Sequence, residues 1–135
     1  TEAQIKAGNY PKGHVRIHGL DVSIENPKGS VRSGKDKNGK PWSVTMQSHY
    51  GYIKQSKGAD KEHIDVFVGP NPESKKVYIV DQVDPETGKF DEHKVLLGFD
   101  SKEQARQGYL GNYEPGWKGL GANTEMPIDK FKKWA

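Results

Sequence analysis

The apolar residues of this chain recur in runs no longer than a β-strand, and turn-forming residues separate them. From His14 to His18 apolar and polar residues alternate, and Leu20 to Glu25 continues in the same period. That is the pattern of half-buried strands. Asn26-Pro27-Lys28-Gly29 breaks it, and Asp36-Lys37-Asn38-Gly39-Lys40-Pro41 predicts a hairpin, with Asn-Gly supplying positive φ angles. Trp42–Met46 and His49–Ile53 read as further strands. Ile64–Val68 reads as a short buried strand, stopped by Gly69-Pro70-Asn71-Pro72. Val77–Val83, a turn over Pro85–Lys89 and a return strand Lys94–Phe99 complete the series.

Helix signals come late. Asp100 stands three residues before Glu103, and Ser101 three before Gln104, so either pair suits a capping box. Ala105, Tyr109 and Tyr113 then share one face. A second short helix is expected from Pro127, with Ile128, Phe131 and Trp134 as its buried stripe. Thr1–Pro11 reads as a lead-in with one short helical turn. Only 32% of the residues are hydrophobic, and sixteen glycines and eight prolines favour a turn-rich domain over a helical bundle. The expected fold is α+β: a small OB-like antiparallel β-barrel with two C-terminal helices packed outside. The 135 residues fit a single domain spanning 1–135, and a start at Thr1 suggests excision from a larger protein.

The net charge of +3 interleaves both signs, so nucleic acid is a conceivable partner but not the favoured one. No run reaches the ~20 apolar residues that a membrane span needs, so no membrane partner is expected. Cysteine is absent, which removes disulfides, thiolate metal sites and cysteine nucleophiles. It is compatible with a reducing cytoplasm.

Between Gly58 and Pro70 the carboxylates Asp60, Glu62 and Asp65 crowd into six residues and lead into an apolar strand. Two like charges ~5 Å apart cost on the order of 3 kcal/mol at an effective dielectric of about 20. A cation would relieve that repulsion, and hard oxygen donors favour Mg2+, Mn2+ or Ca2+ over zinc. The plainer reading is a solvated acidic turn with Asp65 capping the strand. Asp84 and Asp91-Glu92 flank the later hairpin turn, and Lys94 follows Glu92 on the same strand face. Asp84 also suits the opening of the Asp-Pro-Glu-Thr-Gly turn, and Lys94 suits an edge-strand gatekeeper.

Tyr50-Gly51-Tyr52-Ile53, a loop, and Asp60-Lys61-Glu62-His63-Ile64-Asp65-Val66 resemble the signature of the soluble family I inorganic pyrophosphatases. The chain is still more similar to the pyrophosphatase-like domain of polyvalent proteins of phages and mobile elements. That likeness lies in Gly19–Pro27, Asp91–Phe99 and Tyr113–Gly121 and covers almost the whole chain. Two departures stand out. Asp-Lys-Glu-His replaces the family's Asp-Gly-Asp-Pro core, and the family's phosphate-clamping arginine before the Tyr-Gly-Tyr segment has no obvious counterpart, only Lys40 and Trp42 occupying that region.

By position, the resemblance implies that Asp60 and Asp65 bind metal and that Glu62 orients and deprotonates the nucleophilic water. Asp84 would open a further acidic segment whose partner is Asp91 or Glu92, with Glu25 as an outer metal ligand. Tyr50 would line the phosphate site. Lys94, Arg32, Tyr113 and Lys118 would bind phosphate. The implied activity is hydrolysis of a phosphoanhydride, inorganic pyrophosphate by default, with Mg2+ or Mn2+ as cofactor. The substrate is a small phosphorylated molecule, and the setting is the cytoplasm of a host cell or a virion-delivered protein. Two metals can activate a bridging water, and the cations neutralise the leaving phosphate. The rivals are a related hydrolase with a nucleotide, phosphoester or modified-protein substrate, and a catalytically quiet β-barrel that binds nucleic acid or protein. No zinc motif, P-loop or catalytic triad is assignable, and Trp42, Trp117 and Trp134 are expected in the core.

Overall fold

A computed structural model describes residues 13–54, 63–114 and 116–134. Asp60, Glu62 and the Thr1–Pro11 lead-in lie outside the described residues. Among the described residues nine strands form two sheets. Seven of them, β1 (Gly13–Ile17), β2 (Leu20–Asn26), β5 (His49–Lys54), β6 (His63–Val68), β7 (Lys76–Val83), β8 (Phe90–Leu97) and β9 (Leu120–Pro127), lie in the order β1-β2-β5-β6-β8-β7-β9. The other two, β3 (Val31–Lys35) and β4 (Pro41–Thr45), make a separate hairpin. Two helices follow late in the chain, α1 (Lys102–Leu110) and α2 (Ile128–Trp134).

The sheet is open, which corrects the expected OB-like β-barrel. Its order runs from β1 to β9 without closing. The physical reason lies in the central strands, which are buried on both faces. Ile64, Val66 and Val68 of β6 point into one cluster with Val22, Ile24, Val77, Val95, Ile128 and Phe131. Phe67, Tyr78, Val80 and Leu96 point into another with Tyr50, Ala105 and Tyr109. A small barrel buries one face of each strand, whereas runs such as Val77-Tyr78-Ile79-Val80 and Val95-Leu96-Leu97 demand cover on both. Helix α2 supplies it on the first face; α1 and the β3–β4 hairpin supply it on the second.

Local choices explain the elements. Ser101 caps α1, its hydroxyl accepting the N–H of Gln104, while the Gln104 side chain accepts the N–H of Asp100. In the Asp36–Lys40 turn only Gly39 takes positive φ, and the Asp36 carboxylate accepts the N–H groups of Asn38 and Lys40. β1 and β2 meet in a two-residue turn in which both His18 (φ 48°) and Gly19 (φ 83°) are left-handed. A ring nitrogen of His18 donates to the Ser74 carbonyl at 2.9 Å and fastens that turn to the rest of the fold.

Three features position the second face. β6 and β8 pair in parallel, with Asp65 opposite Lys94 and Phe67 opposite Leu96. The β7–β8 ladder slips between Gln82↔Glu92 and Val83↔Phe90, so Asp91 is an extra residue. Such a bulge re-aims side chains. β2 and β5 approach so closely at Gly51 that a Cβ there would lie 1.7 Å from the Ser23 carbonyl oxygen.

Candidate active site

Lys94 is the centre of the second face. It is 3% exposed, and its Nζ lies 2.7 Å from Glu92 Oε1, 2.8 Å from the Tyr50 hydroxyl and 2.9 Å from Asp65 Oδ2. An ammonium has three N–H donors, and here each has an acceptor. Burial alone would pull the Lys94 pKa down. The Tyr50 oxygen and the Glu92 and Asp65 carboxylates outweigh it, so the pKa is raised and the side chain stays charged. Alternation along three strands makes this possible: Tyr50, Asp65, Glu92 and Lys94 all share a face with Phe67 and Leu96. Burial raises the Tyr50 pKa, so its phenol keeps its proton at neutral pH.

The β3–β4 hairpin brings Arg32 over this group. Its guanidinium carbon lies 4.6 Å from the Tyr50 ring centroid and 5.6 Å from that of Trp42. Both distances suit cation–π attraction. A permanent cation thus stands above the phenol whose hydroxyl holds the buried ammonium.

The bulge sends Asp91 and Glu92 to different partners on this same face. Glu92 meets Lys94, while Asp91 Oδ2 accepts the side-chain N–H of Gln82 at 3.2 Å. Gln82 is buried, and its oxygen accepts the hydroxyls of Tyr109 at 2.7 Å and Tyr113 at 2.8 Å. The indole N–H of Trp117 donates to the Tyr109 hydroxyl at 2.9 Å, and Trp117 stacks on Tyr113. Donation therefore runs one way, from Trp117 through Tyr109 and Gln82 to the Asp91 carboxylate. Burial raises the pKa of both tyrosines, which keeps them donors.

The remaining residues singled out in the sequence stand apart from this group. Asp84 accepts the backbone N–H groups of Glu86 (2.8 Å) and Thr87 (3.4 Å) and faces Lys37 at 3.4 Å. The N–H of Glu86 is the main cause of its lowered pKa. It thus caps the β7–β8 turn and ties it to the β3–β4 turn. Glu25 is exposed and is the extra residue where the β2–β5 register slips between Ile24 and Asn26. Lys118 is exposed in the segment before β9. Among the histidines, His49 Nδ1 accepts the Lys28 N–H, His63 stacks on Tyr52 and His93 meets Asp81.

Two residues that the sequence reading passed over shape the site. Gln82 is one. Asn112, 1% exposed, is the other: its Oδ1 accepts the N–H groups of Gln47 and Ser48, and its Nδ2 donates to the Gly108 carbonyl. It fastens the lead into β5, and hence Tyr50, to the end of α1. Neither belongs to a charged motif. For Gln82 the sequence signal is a polar residue where strand alternation calls for an inward side chain; Asn112, in the turn after α1, carries none.

Among the described residues no three His, Asp or Glu side chains are close enough to hold a metal ion. Asp65, Asp91 and Glu92 are hard oxygen donors on one face, which fits Mg2+ or Mn2+ in kind. The arrangement can hold an anion beside two cations and can hold an acidic cluster in place. An open α+β sheet thus carries an acid–base cluster on one of its faces. A family model described as Inorganic Pyrophosphatase matches residues 2–135, and the chain belongs to that family. Comparisons with curated proteins and with solved structures give no match.

Proposed function

We propose that this domain hydrolyses phosphoanhydrides with the help of a divalent metal, inorganic pyrophosphate being the default substrate and Mg2+ or Mn2+ the ion. The observation that supports this reading is the buried Lys94 ammonium, held by Asp65, Glu92 and Tyr50 beneath Arg32. A buried cation with three acceptors is costly to assemble, and phosphoryl transfer is the chemistry that repays fixed charge.

In this proposal Lys94 and Arg32 neutralise phosphoryl oxygens, with Tyr113 and Lys118 at the leaving phosphate. Tyr50 orients Lys94. Glu62 and Asp65 hold the attacking water and accept its proton. Asp60, Asp65, Asp91 and Glu92 would hold the ion, with Glu25 and Asp84 outside them. Asp84 joins only when its pair with Lys37 opens. The ion would lower the pKa of bound water and polarise the phosphoryl group. A cytoplasmic setting, in a phage or mobile-element protein, belongs to the same proposal and rests on the resemblance of Gly19–Pro27 and Tyr113–Gly121. No helix among the described residues is long and apolar enough to cross a membrane.

Phosphate release from pyrophosphate and from nucleotides, with Mg2+ and with Mn2+, tests the proposal. The expected result is metal-dependent turnover that chelation abolishes. A folded protein with no turnover on any of these substrates sinks it, and steeply salt-dependent nucleic-acid binding in its place would identify a binding module.

A further inference from the structure

Pyrophosphate accounts for the charged residues around Lys94 but not for what stands beside them. The inner face of the β3–β4 hairpin carries Arg32, Gly34, Trp42 and Val44. The Trp42 indole lies against Gly34, where a Cβ would come within 2.9 Å of Cζ2. It remains partly exposed and lines an open concavity of about 600 Å3 together with Ser33, Gly34, Lys35, Pro41, Ser43 and Glu114. From the indole a ladder of contacts leads inward: Arg32 at 5.6 Å, Tyr50 4.6 Å beyond the guanidinium, and Lys94 2.8 Å from the Tyr50 hydroxyl.

A small, wholly charged anion has no use for an accessible indole with a carboxylate on the same concavity. A nucleoside does. A base stacks on an aromatic face, and the Glu114 carboxylate can accept N–H groups of a base. We infer that the concavity beside Trp42 is a subsite for the nucleoside end of a nucleoside di- or triphosphate, whose phosphates extend past Arg32 to Lys94. The inference rests on the hydrolase reading above and narrows its substrate class. In the reaction, the water oxygen bonds to the terminal phosphorus and the bridging P–O bond breaks. Its electron pair leaves on the nucleoside phosphate, and the proton of water passes to a carboxylate and then to solvent.

The test compares AMP with ribose 5-phosphate, which carries the same phosphate without the base, against the 15N-labelled full chain. The indole N–H signal of Trp42 is assigned by its loss in Trp42→Leu. AMP is expected to bind about tenfold more tightly than ribose 5-phosphate and to shift that signal. Trp42→Leu and, separately, Glu114→Ala are expected to shrink the difference. Glu114 is exposed and is not among the groups that hold Lys94, so its removal should leave pyrophosphate turnover unchanged. Equal binding of the two probes, or a preference for AMP that leaves the Trp42 signal unmoved, overturns the inference. Turnover of pyrophosphate with no response to AMP overturns it while the hydrolase reading stands. Base-dependent binding at Trp42 with no cleavage of ADP, ATP or pyrophosphate leaves the subsite and removes the hydrolase.

Discussion

Lys94 and Asp65 stand directly opposite each other across the one parallel ladder among the described strands, joined Nζ to Oδ2 at 2.9 Å. Their side chains meet because strand alternation places both on the face shared with Phe67 and Leu96. The ion pair is therefore a consequence of register. A slip of β6 by one residue would send Asp65 to the opposite, apolar face and leave Lys94 without it.

Replacing Lys94 should test stability and chemistry together. Lys94→Met leaves two carboxylates that are 30% and 47% exposed and able to hydrate. Its cost to folding should stay at about 1–2 kcal/mol in urea denaturation, well below the 3–5 kcal/mol of stranding a fully buried charge. Turnover, however, should fall by about a hundredfold or more. An unchanged rate would remove Lys94 from the site.

Alkaline pH should weaken the fold. Lys94 has a pKa raised above 10.5, and Tyr109 and Tyr113 have pKa values raised above 10.0. Each group holds its proton more tightly when folded, so its contribution is complete below those ordinary values and is lost as pH rises past them. Denaturant midpoints should be flat through neutral pH and fall above about pH 10. The Tyr113→Phe variant should show a shallower decline. An equally steep decline would contradict the assignment.

The Gln82 relay predicts a specific loss. Gln82→Met strands the hydroxyls of Tyr109 and Tyr113 and frees Asp91, at a cost of about 1–3 kcal/mol. Mn2+ affinity measured by calorimetry should weaken together with stability. If stability drops while metal binding is untouched, Gln82 only supports the packing and Asp91 stands outside the metal site.

Much of this fold was legible in the sequence because it is written in local chemistry. Ser101 and Gln104 announce the start of α1, and the turns at Gly39 and Gly88 fall where the Asn-Gly and Thr-Gly pairs place them. What escaped depends on partners distant in sequence. The His18-Gly19 turn carries no usual turn pair, and its histidine is held by Ser74. β9 has weak strand formers in Gly121, Ala122 and Asn123, and it exists because β7 offers a ladder. Parallel pairing of β6 with β8 cannot be seen in either strand alone.

At the site the same division holds. The charged residues Asp65, Glu92 and Lys94 were visible as a pattern, and the structure places them in contact. In the sequence Asp91 and Glu92 stand as alternatives, because spacing from Lys94 favours Glu92 while residue type favours Asp91. The bulge gives each its own partner on one face. Asp84 looked like their companion but belongs to its turn.

Asn112 offers a further check. Asn112→Leu leaves the backbone N–H groups of Gln47 and Ser48 without their acceptor, at a cost of about 1–3 kcal/mol. Amide exchange should quicken at the start of β5 before it does in β7 or β8. Uniform protection across the sheet would contradict its role as a fastener.

Gly51, wedged against the Ser23 carbonyl, sits between Tyr50 and Tyr52. Any side chain there prises two strands apart, whereas exchanging Tyr50 for another ring does not. Scaffold and chemistry are thus inscribed in adjacent letters that answer to different pressures. A descendant that abandoned catalysis would be free to discard the tyrosine and still obliged to retain the glycine, so the two positions together separate a silent heir from a working one.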